Sequence, residues 1–177
     1  VYYGSATGLS TKPDWVVESN QANAAFGTSV ATAGDVNNDG FDDVIVGAPG
    51  YSNVETNEGA AFIYYGSTNG PITTPNWRVE SNQIDAGLGW SVATAGDVND
   101  DNYDEVIVGA PNYDTIERNE GAAFVYYGSD AGLKATDYWS VKFNQKDATF
   151  GWSVGTAGDV NNDGYADVIV GAPKYDN

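Results

Sequence analysis

Hydrophobic and polar residues alternate over short segments of this chain, with turn residues between the segments, which is the pattern of β-strands. Within residues 28–81 the pattern predicts four strands, at 28–33, 43–46, 60–65 and 76–81. The second strand ends at Gly47-Ala48-Pro49, because proline has no N–H to donate to a strand ladder. The third is followed by a turn rich in Gly, Ser and Asn at 66–70.

These strands belong to an internal repeat with a period of 62 residues. The segment Gly34-Asp35-Val36-Asn37 recurs at 96–99 and 158–161. Residues 26–66 and 88–128 are identical at 29 of 41 aligned positions. Four strands in each period predict one blade of a β-propeller, whereas 62 residues is long for the alternative, one coil of a solenoid.

We therefore expect an all-β protein, a β-propeller built of four-stranded antiparallel blades, with three blade-equivalents in the chain. We interpret the whole chain, 1–177, as a single propeller segment of three repeats. Its expected parts are a half blade at 1–20, whole blades at 26–82 and 88–144, and a half blade at 150–177.

Three blades are too few to close a ring, since propellers have about four to eight. The expected last strand, near residues 168–170, would also leave an open edge that can pair with another chain. We expect the strand at Val1 of a second molecule to cover it, so that two copies form a six-bladed homodimer. The alternative is a piece of a longer single-chain propeller, because Val1-Tyr2-Tyr3-Gly4 is typical of a strand end.

The composition supports this fold class and argues against two kinds of binding partner, nucleic acid and anionic membranes. Glycine supplies 22 of 177 residues and aromatic residues 13%, which suits many strands joined by tight turns. The net charge of −18 would repel nucleic acid and anionic membrane surfaces, and no apolar run is long enough for membrane insertion as a helix. The absence of Cys and His excludes disulfides, thiol or imidazole nucleophiles, and zinc or copper sites that use those ligands.

The acidic loop between the first two strands is a candidate metal site. Its oxygen-bearing side chains fall at alternate positions, and Ca²⁺ prefers about six to eight oxygen ligands. The predicted ligands are the side chains of Asp35, Asn37, Asp39 and Asp43 and the carbonyl of Phe41. Gly40 permits the sharp bend. An EF-hand is excluded because Val46 stands at its twelfth position, where a bidentate Glu is required.

The ligand pattern recurs in the other repeats, so we expect about three Ca²⁺ per chain. The second loop offers Asp97, Asn99, Asp101, Glu105 and the carbonyl of Tyr103. The third offers Asp159, Asn161, Asp163, Asp167 and the carbonyl of Tyr165. Because Asn102 replaces the glycine and Glu105 replaces an Asp, the second loop is expected to bind most weakly. A solvated hairpin turn would explain one such loop, but three matching copies on an acidic chain favour metal sites.

Aromatic and acidic residues outside the loops also repeat. Trp15, Trp77 and Trp139 share one position, where packing between blades is favoured over a sugar-stacking platform. Trp90 and Trp152 replace Thr at the first-repeat position and are better candidates for a role specific to particular blades. The remaining glutamates are interpreted as solvated groups on strands or loops: Glu18, Glu55, Glu58, Glu80, Glu117 and Glu120.

Each acidic loop is preceded by Phe-Gly or Leu-Gly, at 26–27, 88–89 and 150–151, and followed by Gly-Ala-Pro. In these motifs the chain resembles, over essentially its whole length, the FG-GAP repeats of integrin α-subunit propellers and of bacterial surface proteins. Leu88 departs from the Phe of the motif but keeps a large apolar side chain. The resemblance implies a propeller with calcium in its hairpin loops and an extracellular or cell-surface location.

The predicted function is binding rather than catalysis. Nearly every clustered carboxylate belongs to a candidate metal loop, and there is no His to activate a serine. The resemblance implies an extracellular adhesion or protein-interaction module whose ligand is a protein or a glycan. Two alternatives stay open, a carbohydrate-binding lectin propeller and an accessory propeller of a secreted enzyme.

Overall fold

Residues 1–176 are described by a computed structural model, and every regular element in them is a β-strand. The chain begins with a short hairpin of β1 (Gly4–Ser5) and β2 (Gly8–Leu9). The first complete sheet consists of β3 (Ser29–Gly34), β4 (Asp43–Ala48), β5 (Ala60–Tyr64) and β6 (Trp77–Glu80). The second consists of β7 (Ser91–Gly96), β8 (Glu105–Ala110), β9 (Ala122–Tyr126) and β10 (Tyr138–Lys142). A last pair of strands is β11 (Ser153–Gly158) and β12 (Asp167–Gly171).

Each complete sheet is an antiparallel meander, in which strands adjacent in sequence are adjacent in the sheet. The strands β3, β7 and β11, which open successive repeats, lie side by side. Successive blades therefore face one another as they do in a β-propeller. The prediction of an all-β propeller with four-stranded blades and three blade-equivalents is confirmed by the two complete sheets and the incomplete ones at either side.

The strand limits differ from the predicted ones by one or two residues. The largest difference is in β4, which continues past Val46 because Gly47 and Ala48 pair with Ala61 and Ala60 of β5. Pro49 then ends the strand, as its missing N–H requires. A bulge lies between Thr32 and Gly34, with equivalents in β7 and β11, and turns the chain out of the sheet into the acidic loop.

The first twenty residues contain only the short hairpin as regular structure, but they repeat a contact seen inside the first blade. The amino group of Val1 donates to the carbonyl of Trp15 at 2.8 Å. One period later, Ile63 of β5 pairs with Trp77 of β6. The contact between third and fourth strands therefore recurs here without forming a regular ladder.

The FG and GAP sequences of one repeat are bonded to each other, and the GAP sequence also approaches the FG sequence of the next repeat. The N–H of Gly27 donates to the carbonyl of Gly47 at 2.9 Å, and Gly89 donates to Gly109 at 3.0 Å. A side chain on Gly47 would collide with the carbonyl of Gly89 in the next repeat, so only glycine allows this approach. Leu88 is 1% exposed and fills the place of the Phe in the core between the blades. No helix among residues 1–176 has the length and apolar character needed to span a membrane.

Candidate metal centres

The first acidic loop connects β3 to β4 and holds its side chains inside its own turn. The carboxylate of Asp35 accepts hydrogen bonds from the N–H of Asp39 at 3.0 Å and of Gly40 at 2.8 Å. The side-chain amide of Asn37 donates to the carboxylate of Asp39 at 3.1 Å, and Asp39 accepts from the N–H of Phe41 at 3.0 Å. Three of the predicted ligands therefore lie together in one loop.

Asp43 closes the loop from the first position of β4 and is buried. Its carboxylate accepts from the N–H of Val36 at 3.1 Å and from that of Gly66 at 2.8 Å. The pKa of Asp43 is raised to about 6, chiefly by burial and in smaller part by the nearby charges of Asp39 and Asp35, against the opposing effect of the two hydrogen bonds. The carboxylates of this loop therefore face one another closely enough to repel, which a bound cation would relieve.

The second loop, between β7 and β8, has the same arrangement despite its two substitutions. Asn102 takes the place of Gly40 and adopts φ = +71°, which asparagine tolerates better than most residues. Glu105 is fully buried and accepts from the N–H of Val98 at 2.8 Å and of Gly128 at 3.2 Å, the counterparts of the donors to Asp43. The pKa of Glu105 is raised to about 7, chiefly by burial and in smaller part by the charges of Asp101 and Asp97, against the opposing effect of the two hydrogen bonds.

The third loop, between β11 and β12, repeats the hydrogen bonds of the first. Asp159 accepts from the N–H of Asp163 at 3.1 Å and of Gly164 at 3.0 Å. Asp167 accepts from Val160 at 2.8 Å. Asp159 and Asp163 are exposed and Asp167 is only half-buried, so this loop is the most solvated of the three.

The ligand chemistry of all three loops fits a hard cation, because every predicted ligand is an oxygen atom. Within residues 1–176, however, no three carboxylates are drawn together as a finished metal cage. Backbone N–H groups instead use part of the hydrogen-bonding capacity of the ligand carboxylates. A carboxylate has about four lone-pair sites, so the two hydrogen bonds to Asp43 leave acceptor capacity for an ion. The carbonyls of Phe41, Tyr103 and Tyr165 are the remaining predicted ligands, and each lies two residues before the closing carboxylate.

The repeated tryptophans lie outside these loops, and two of them pack between blades as predicted. Trp15 meets Tyr64 edge to face at 5.1 Å, and Trp77 meets Tyr126 of the second blade at the same distance. Trp139 is 44% exposed, which differs from its two equivalents because no such aromatic partner covers it among residues 1–176.

Trp90 and Trp152, which interrupt the repeat, form a pair with ring centres 4.8 Å apart. They stand just before β7 and β11, in neighbouring repeats. Trp152 remains 42% exposed. The pair therefore presents an aromatic surface that the first repeat, with Thr28, lacks.

The interpretation of two glutamates as solvated groups is wrong. Glu58 and Glu120 are fully buried. One oxygen of Glu58 accepts from the N–H groups of Asn53 at 2.7 Å and Val54 at 3.2 Å, so the side chain fastens the loop between β4 and β5 from within. The only available signal was the recurrence of Asn-Glu-Gly before the third strand in both complete repeats.

A contact between neighbouring acidic loops also escaped the sequence analysis. Asp104, in the second loop, accepts a hydrogen bond from the N–H of Asp35 in the first at 2.9 Å. Its own N–H donates to the carbonyl of Asp35 at 3.1 Å. The local pattern around Asp104, which stands between two predicted ligands, could not indicate this contact, because its partner Asp35 lies in another repeat.

The fold and the three loops define a class, a repeat β-propeller with an acidic hairpin loop after the first strand of each repeat. A model described as FG-GAP repeat matches residues 26–64, 88–126 and 150–177. The chain therefore belongs to the FG-GAP repeat family, which confirms the resemblance read from its motifs.

Known relatives point the same way. Integrin alpha-3 of Cricetulus griseus is 30% identical over 171 residues, covering 94% of this chain and 16% of that protein. Integrin alpha-PS2 of Drosophila melanogaster is 32% identical over 173 residues, covering 90% of this chain and 12% of that protein. The chain thus spans only 12–16% of the length of these integrin alpha proteins.

Proposed function

We propose that this chain is a calcium-binding segment of an extracellular or cell-surface propeller, that it acts as an adhesion or protein-interaction module, and that it is not an enzyme. The observation that carries the calcium part is the position of Asp43 and Glu105. Both carboxylates are buried against loops that already hold two other predicted carboxylate ligands. A cation is the simplest group that would offset this charge.

The residues that would hold the ions are the five predicted ligands of each loop. When bound, Ca²⁺ would supply positive charge and a fixed coordination geometry. The chain's own residues orient the ligands: Asp35 is fixed by the N–H groups of Asp39 and Gly40, and Asp43 by those of Val36 and Gly66.

The binding role is supported by similarity to integrin alpha proteins and by the charge of the chain. A surface with a net charge of −18 favours partners that bring basic groups or divalent ions. A pull-down with candidate extracellular proteins, in Ca²⁺ and in EDTA, tests this role. Calcium-dependent capture supports it, whereas capture that is equal in EDTA contradicts a calcium-ordered interaction surface.

A lectin is the second candidate, and the Trp90–Trp152 pair favours it. An exposed aromatic surface suits the apolar face of a sugar ring. A glycan array with the unaltered protein and with Trp152→Ala distinguishes the two functions. Glycan binding that disappears in Trp152→Ala supports the lectin, and an array without bound glycans supports the protein-interaction module.

A further inference from the structure

We propose that calcium binding to the first and second loops is coupled, and that Asp104 is the positioning residue that transmits the coupling. The inference rests on the proposed calcium function and extends it, since it concerns how one site affects the next. The two loops belong to different blades and share no predicted ligand. They are nevertheless joined by hydrogen bonds along two separate routes.

The direct route joins Asp104 to Asp35. The carboxylate of Asp104 accepts from the N–H of Asp35 at 2.9 Å, and the N–H of Asp104 donates to the carbonyl of Asp35 at 3.1 Å. Asp104 directly precedes Glu105, the predicted closing ligand of the second loop. Gly34 makes this approach possible, because a side chain there would collide with the Asp104 carboxylate. Asp35, the first predicted ligand of the first site, is thus bonded to Asp104, which stands next to Glu105, the last predicted ligand of the second site.

The second route runs through the turn after β9. Glu105 accepts from the N–H of Gly128 at 3.2 Å, and the next residue, Ser129, donates to the carbonyl of Val36 at 3.2 Å. The N–H of Val36 donates to Asp43 at 3.1 Å. This route therefore joins the two closing ligands, Glu105 and Asp43.

These contacts give a physical reason for coupling. An empty loop contains mutually repelling carboxylates, and an ion that orders it also fixes the backbone to which its neighbour is bonded. The second ion then binds a loop that has less conformational freedom left to lose, which is positive cooperativity. Couplings of this kind change affinity about fivefold or more.

The second and third loops provide an internal comparison. Ala166 stands where the second loop has Asp104, so only the backbone bond remains, from the N–H of Ala166 to the carbonyl of Asp97 at 3.0 Å. The second and third sites should therefore be coupled more weakly than the first and second.

The test uses the full chain with the third loop disabled by Asp159→Asn and Asp163→Asn, so that two sites remain. Calcium calorimetry on this parent, and on versions in which loop one (Asp39→Asn) or loop two (Asp101→Asn) is also disabled, yields the joint and separate affinities. Their ratio is the coupling factor, which we expect to be about five or more.

Variants of Asp104 then separate its hydrogen bond from its charge. Asp104→Ala removes the carboxylate that accepts from the Asp35 N–H but keeps the backbone bond and the second route, so it should lower the coupling factor clearly without abolishing it. Asp104→Asn keeps an acceptor for the Asp35 N–H and should retain most of the coupling. The matched control is Asp42→Ala, the equivalent position in the first loop, which bonds to no other acidic loop among residues 1–176 and should leave the coupling unchanged.

A gain-of-coupling variant covers the case in which Asp104→Ala does not fold. In a chain with only loops two and three active, Ala166→Asp should raise the coupling factor. A factor of one in the parent, with each single loop still binding one ion, overturns the coupling and leaves the calcium function standing. A parent that binds no Ca²⁺ overturns the proposed calcium function itself. An Asp104→Ala variant that folds and keeps the full factor excludes Asp104 as the transmitting residue.

Discussion

Removal of calcium from the folded protein is expected to lower its thermal stability strongly. Each acidic loop holds three predicted carboxylate ligands within nine residues of sequence, and the chain carries a net charge of −18 before any ion binds. In the first two loops the closing carboxylate is also buried. Without the ion, these charges repel one another in an environment that screens them less than water does.

The size of the effect follows from mass action. An ion that binds only the folded chain stabilises it by about 2.7 kcal/mol per site at a hundredfold excess over Kd. Three independent sites would give roughly 8 kcal/mol on this basis. For a chain of this length, 1 kcal/mol shifts Tm by about 2–4 °C, so the expected difference is roughly 15–30 °C.

The pH dependence of the thermal stability provides a second test of the proposed calcium sites. The raised pKa values of Asp43, about 6, and Glu105, about 7, mean that the calcium-free folded chain holds these protons more tightly than the unfolded chain does. Its stability should therefore fall as the pH rises from about 4 to 7. Calcium displaces those protons, so the stabilisation by calcium should be larger at pH 8 than at pH 5.

The assay is scanning calorimetry in Ca²⁺ and in EDTA, at pH 5 and pH 8 and at constant ionic strength. Mg²⁺ serves as the control ion, and its shift should be smaller because it prefers strict octahedral geometry and retained water. An equal midpoint in Ca²⁺ and EDTA at pH 8 would refute the reasoning. A calcium effect that is larger at pH 5 would refute the assignment of Asp43 and Glu105 as closing ligands.

Four further outcomes are expected. Asn102→Gly combined with Glu105→Asp should strengthen calcium binding at the second loop in calorimetry, and weaker binding would contradict the ligand assignment. Glu58→Ala should lower the free energy of unfolding in urea by about 1–3 kcal/mol, because two loop N–H groups lose their buried acceptor; an unchanged value would mean that water replaces it. Trp77→Ala should cost about 3–5 kcal/mol and the equivalent change at exposed Trp139 much less, so equal losses would contradict the packing role. Native mass spectrometry should detect a homodimer of twice 18.7 kDa, and a stable folded monomer would rule out ring closure between two copies.

Most of the fold could be predicted because the repeat gave each strand several independent indications. The apolar segment before Pro49, the bend at Gly40 and the alternation around Trp77 recur at the same spacing, and each has a local physical cause. Strand limits were less certain, because β4 extends to Ala48 through its pairing with β5, and pairing partners are not visible in a local pattern. The gathering of the candidate ligands in one loop could be predicted for the same reason, since alternate oxygen-bearing side chains lie within nine consecutive residues.

What the sequence did not reveal depends on contacts between distant segments. Glu58 and Glu55 look alike in the sequence, yet only Glu58 is completely enclosed, because its loop folds over its own side chain. The bond from Asp35 to Asp104 spans 69 residues. No periodic pattern identifies it, since the third repeat has Ala166 at that position.

The burial of the three loops follows from how the blades succeed one another. The first loop is bonded to the second through the side chain and the backbone of Asp104, and the second is bonded to the third through the backbone N–H of Ala166. Asp35 and Asp97 are accordingly half-buried, whereas Asp159 is exposed. Similar ligand patterns therefore occupy unequal environments within residues 1–176, because the first two loops are each bonded to the loop of the next repeat. We therefore expect the affinity of each proposed site to depend on its neighbour as well as on its own five predicted ligands, and a single loop excised as a peptide to lose that contribution.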